Sequence, residues 1–137
     1  MDQNIIESLQ RIYSKIPDFE CQHCTQCCKG IVWSEPEDFL IRDFMDKNHI
    51  KRITLNMKEF KENNMKCPYL ENNRCIIYPV RPLVCRLQGN IDELKCRISK
   101  NLNPLSIKEL DEIKYEFFEL LKKVNCLNFF YSNHKIE

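Results

Sequence analysis

Apolar residues recur along this chain at helical spacing in three places, separated by stretches with no regular period. Ile5, Leu9 and Ile12, with Ile6 and Tyr13 alongside, predict a short amphipathic helix over residues 2–15, and Pro17 ends it. Ser34 with Glu37 three residues on is a capping box, and Pro36 suits a first helical turn. Phe39, Leu40, Ile41 and Phe44 then give a buried stripe as far as Asp46. Residues 103–131 predict the longest helix, with Asn103 as cap and Pro104 at the first helical position. Its stripe is Ile107, Leu110, Ile113, Phe117, Leu120, Leu121, Val124 and Leu127, and Glu119 and Lys123 form an i,i+4 pair. The stripe reads as core rather than as a coiled coil, packed over a cysteine-rich layer.

Between the helices the pattern breaks. His49–Leu55 reads as extended, and Lys58–Asn63 as a polar turn or short helix. Over residues 64–98, Pro68, Pro79 and Pro82 leave no room for a long helix, and Asn72-Asn73 and Gly89-Asn90 mark turns. The expected architecture is mainly α: one small domain over residues 1–131, irregular cysteine-bearing loops enclosed by the terminal helices, and a fraying tail over 132–137.

The chain has 137 residues, which suits one modest domain with a limited core. A formal charge of +1 makes no case for a nucleic-acid partner. No Lys/Arg-led apolar leader and no run of 18 apolar residues occur, so neither a signal peptide nor a membrane span is expected, and a cytoplasmic location is. Nine cysteines change the picture. In a reducing compartment, clustered cysteines are ligands or catalysts; an odd number without an export signal argues against a disulfide scaffold.

The first run, Cys21, Cys24, Cys27 and Cys28, reads C-x2-C-x2-C-C. Two-residue spacers turn successive thiolates onto one centre, whereas adjacent side chains in extended backbone diverge, so Cys27 and Cys28 need not serve the same metal. Bacterial ferredoxins use the same triplet with a distant Cys-Pro, and Cys67-Pro68 supplies that step here. One assignment gives Cys21, Cys24, Cys27 and Cys67 to a [4Fe-4S] cluster, leaving Cys28, Cys75, Cys85 and Cys96 for a second centre. Zinc is the alternative, since the eight thiolates also fill two tetrahedral sites. His23 lies between ligands but is not needed as one, and Cys126 reads as a small buried hydrophobe.

The two runs together resemble the CxxCxxCC proteins, also called the YkgJ-like cysteine cluster family. The match lies in C-Q-H-C-T-Q-C-C and in Cys67, Leu70, Cys75, Tyr78, Arg81, Pro82, Cys85 and Arg86, with Cys96 at the place of a further downstream cysteine. It spans roughly residues 21–96 and departs from the family pattern at Leu87-Gln88-Gly89. The resemblance implies zinc or iron chelation. Some related proteins are linked to lysine methylation of flagellin with an iron–sulfur centre, but no radical or methyl-donor domain is identifiable here.

Arg81 and Arg86 bracket Cys85 and are suited to hydrogen-bond a ligating sulfur or a loop carbonyl and to offset thiolate charge; the plain alternative is a surface salt bridge. Pro82 sets the turn that presents Cys85. Tyr78 is placed to cover the site, and Trp33 and Phe39 to exclude water from it. No hydrolytic triad, acid–base pair or glycine-rich phosphate loop stands out. The expected function is metal-centre binding for redox or cluster-supported chemistry with a protein or redox partner, against a zinc-stabilised interaction module or a metal delivery protein.

Overall fold

The structure is a computed structural model that describes residues 1–21, 28–29, 32–53, 55–96, 99–125, 129–131 and 134–136. It is mainly α-helical. Helix α1 spans Gln3–Ser14, α2 Glu35–Lys47, α3 Met57–Glu62, α4 Leu83–Leu87 and α5 Ile107–Lys123. Strands β1 (Val32–Ser34), β4 (Phe129–Tyr131) and β5 (His134–Ile136) form one antiparallel sheet in the order β1-β4-β5, and β2 (Leu70–Glu71) pairs with β3 (Arg74–Cys75) in a hairpin. No helix among the described residues is long and apolar enough to cross a membrane.

The described hydrophobic residues separate into two clusters. In the first, Ile5, Leu9, Ile12 and Tyr13 of α1 meet Leu110, Ile113, Phe117 and Leu120 of α5, with Leu87 and Ile91 at one end. The second holds Trp33, Ile41, Met45, Cys67, Tyr69 and Ile77, with Cys28 and Cys75 packed against it. The expectation that α5 covers the cysteine-rich layer is therefore corrected. The stripes of α1 and α5 satisfy one another, and the cysteine layer lies instead against α2 and β1.

Four local expectations change as well. Helix α5 begins at Ile107, not at Pro104. Ser106 and Glu109 cap each other through backbone N–H bonds of 3.0 and 3.1 Å, while Leu105 N–H donates to the Asn90 carbonyl at 2.8 Å and holds the preceding segment off the helix axis. It ends at Lys123 rather than running to 131, because Asn125 takes a left-handed φ of 50° and the chain enters β4, where Phe130 pairs with Trp33. The tail beyond, expected to fray, contributes β5. Ile107, assigned to the buried stripe, is 81% exposed.

Asn72 and Asn73, both left-handed at φ 52° and 62°, form the two-residue turn between β2 and β3, as their pairing in sequence suggests. Lys58–Asn63 resolves as the short helix α3, capped by Asn56 and Glu59.

Candidate metal centre

Six of the nine cysteines lie in the described residues: Cys21, Cys28, Cys67, Cys75, Cys85 and Cys96. Cys24, Cys27, His23 and Cys126 lie outside them. The chain joins its two cysteine runs through main-chain bonds. Cys67 N–H donates to the Cys28 carbonyl at 3.0 Å, and Lys29 and Lys66 form an antiparallel bridge beside it. The end of the first run is thereby fastened to the start of the second. The β2–β3 hairpin carries Cys75 back, with Leu70 opposite Cys75 in register. Cys85 arrives on α4, whose start is set by Pro82: its buried carbonyl accepts from Cys85 N–H (3.0 Å) and Arg86 N–H (3.2 Å).

The sulfurs sense one another. Burial pushes the Cys67 thiol up to about 11, with Cys75 adding to the rise. Burial likewise raises Cys75, and Cys21 contributes. Cys85 lies well above its ordinary value, from burial first and then from Cys67 and Cys75. Four thiols from both runs thus share one electrostatic neighbourhood. Opposing the rise, backbone hydrogen bonds from Tyr69 and Ile77 favour the thiolates of Cys67 and Cys75, and the Arg81 charge favours those of Cys75 and Cys85. Cys96 Sγ accepts the Ser99 N–H at 3.4 Å.

This donor set fits a soft, thiophilic metal. Buried thiolates repel one another and lose hydration, and a bound cation offsets both costs. Backbone N–H groups aimed at sulfur are the usual support for ligating cysteines. Among the described residues, no three Cys, His, Asp or Glu side chains close on a point as a complete metal shell would. What they offer is a set of thiols within electrostatic reach of one another.

The two arginines part company. Arg81 stacks on the Tyr78 ring, 3.7 Å from its centroid, donates from Nε to the Tyr78 carbonyl (2.9 Å), and reaches Asp18 at 3.6 Å. Tyr78 is itself exposed and serves as the platform for Arg81. Arg86 braces the loop before α4 through the Arg81 and Pro79 carbonyls, and lies over the Tyr13 ring of α1. Trp33 is buried in the cysteine cluster, with its Nε1 donating to Asp38 at 2.9 Å; Phe39 is half-buried.

Sequence reasoning missed Glu37 as anything beyond a helix cap. Its carboxylate is buried and accepts from Ser34 N–H (3.1 Å), Ser34 Oγ (3.0 Å), Tyr13 Oη (2.6 Å) and Leu83 N–H (2.5 Å). One side chain therefore ties α1, the start of α2 and the start of α4, the helix that carries Cys85. Burial raises its pKa although all four donors pull the other way. Asn90 was also missed except as a turn residue. Buried, it donates to the Pro17 and Arg86 carbonyls at 2.8 and 2.9 Å and fixes the chain after α4. Neither role carries a local signal, since the partners that define it, Tyr13 and Leu83 for Glu37 and Pro17 for Asn90, lie far off in sequence.

Comparison with known proteins adds one match. A family model, CxxCxxCC, with the description "Putative zinc- or iron-chelating domain", covers residues 20–126. No curated protein and no solved structure matches the chain.

Proposed function

The chain belongs to the CxxCxxCC family of zinc- or iron-chelating domains, and on that premise we propose that it binds a [4Fe-4S] cluster through thiolates of both cysteine runs. The observation that carries this reading is the main-chain fastening of Cys28 to Cys67, which brings the runs together beside Cys75 and Cys85. Spacing favours iron–sulfur over zinc, because the triplet Cys21, Cys24 and Cys27 with Cys67-Pro68 follows the ferredoxin pattern. In this assignment those four hold the cluster, and Cys28, Cys75, Cys85 and Cys96 are left for a second centre.

A cluster of this type supplies one-electron chemistry when bound. The protein's own part is to exclude water with Trp33, to hold the ligand loops with Glu37, Pro82 and Arg86, and to place the Arg81 charge beside Cys75 and Cys85. Arg81 and Tyr78 act from behind the ligands. A protein or redox partner in the cytoplasm completes the reading.

Iron, zinc and acid-labile sulfide quantified on protein purified without oxygen test it. Iron and sulfide in roughly equal, near-stoichiometric amounts are expected. Zinc without sulfide overturns the cluster assignment and leaves a zinc-stabilised module.

A further inference from the structure

Arg86 follows Cys85 in the chain, but its guanidinium lies 4.0 Å from the centroid of the Tyr13 ring on α1. Two of its nitrogens are occupied: Nε donates to the Arg81 carbonyl at 2.7 Å and Nη2 to the Pro79 carbonyl at 3.0 Å. Both acceptors are neutral. Among the described residues no carboxylate lies within ion-pair distance of this guanidinium. A half-buried cation thus keeps one edge, Nη1 and the remaining hydrogen of Nη2, without a counter-charge.

That guanidinium lines a cleft of about 370 Å³ between α1, α2 and the segment leading into α4. The volume falls within the range of small-molecule sites. The walls are divided by chemistry. Leu40 and Val80 supply apolar surface, Gln10 supplies an amide, and the buried Tyr13 ring forms the floor beneath Arg86. Two acidic groups stand near. Asp18, at the rim, pairs with Arg81 at 3.6 Å, and Glu37, behind Tyr13, is saturated by its four donors. Asp18 is ion-paired with Arg81 rather than with Arg86, so among the described residues the charge in the cleft without an ion-pair partner is that of Arg86.

We propose that this cleft binds a small organic carboxylate, with Arg86, held over the buried Tyr13 ring, meeting the carboxylate and Leu40 and Val80 receiving the apolar body. A guanidinium edge offers a carboxylate two parallel N–H bonds, and partial burial makes that contact stronger than it is in bulk water. The α4 backbone links the two sites, so the carboxylate binds one residue from a cysteine of the metal neighbourhood. The inference goes beyond the metal assignment and holds for iron or zinc. If Arg86 were only a loop brace, its two carbonyl bonds would suffice and the cleft would show no preference for negative charge.

The test is equilibrium dialysis of the full chain, purified with its metal, against labelled benzoate, with benzyl alcohol as the neutral competitor. Two variants are compared after metal content and circular dichroism confirm their fold. Arg86→Gln removes the charge. Gln10→Trp fills the cleft from an exposed position on α1 and leaves the loop bonds untouched. Saturable benzoate binding is expected, undisturbed by benzyl alcohol, weakened about tenfold or more by Arg86→Gln, the loss that one charged hydrogen bond implies, and weakened likewise by Gln10→Trp because the indole takes up the space. Absence of saturable binding, equal competition by benzyl alcohol, or unchanged affinity in Gln10→Trp overturns the proposal. Gln10→Trp decides alone if Arg86→Gln does not fold.

Discussion

Replacing Glu37 by alanine removes the one acceptor shared by four donors. Ser34 N–H, Ser34 Oγ and Tyr13 Oη are buried, and Leu83 N–H opens α4. A buried donor stripped of its acceptor costs about 1–3 kcal/mol. Three such losses, less the relief of no longer burying a carboxylate, come to a net of about 3 kcal/mol. That is a large share of a typical total of about 5–15 kcal/mol. Urea unfolding monitored by far-UV circular dichroism measures it, with wild type and variant compared at equal metal content because a metal bound only to the folded state adds its own stabilisation. Glu37→Gln keeps the volume and an acceptor oxygen, so it should lose about 1 kcal/mol. Chelator-driven metal release should also be faster in Glu37→Ala, since the start of α4 positions Cys85. A loss below about 1 kcal/mol in the alanine variant would refute the assignment of Glu37 as the joint between three helices.

Three further outcomes follow from the same geometry. Gly89 has a φ of +81°, and a Cβ there would fall 2.3 Å from the Phe19 ring, so Gly89→Ala should cost about 2 kcal/mol or more in thermal unfolding, with part regained in the Phe19→Ala background. Arg81→Met takes away a charge that favours the Cys75 and Cys85 thiolates, so the midpoint of metal loading against pH should move upward; an unmoved midpoint would reduce Arg81 to a surface residue. Burial raises the Glu37 pKa above its usual 4.5, so the unfolded chain gives up that proton first. The Glu37 contribution is therefore full below 4.5 and declines as pH rises through the folded-state value, and the stability gap between wild type and Glu37→Gln should narrow over that interval.

Much of this could be read along the chain. The stripe Ile5, Leu9 and Ile12 needs no knowledge of its partner to be recognised, and α1 falls within one residue of its expected limits. The Ser34–Glu37 signature placed the start of α2, and Asn72-Asn73 placed the hairpin turn. These are contacts between residues a few positions apart, so spacing alone carries them. Asn103-Pro104 was an equally good local start signal for α5, yet it lost to Ser106 because the Asn90 carbonyl, distant in sequence, captures Leu105 N–H. The helical run likewise stops at Lys123, and Phe129–Tyr131 pair with β1 as β4; Leu127 lies outside the described residues.

The chemistry divides along the same line. Cysteine type and spacing by themselves pointed to a metal-chelating family, the one whose model the chain matches, because thiolate softness and a two-residue spacer are local properties. Only the tertiary structure decided which sulfurs are neighbours, that α5 packs on α1 rather than on them, that Glu37 serves α4 as well as α2, and that Arg81 faces the thiols while Arg86 faces a cleft. Each of these depends on main-chain bonds and burial between segments tens of residues apart, and a one-dimensional pattern holds no record of which distant group a buried donor will find.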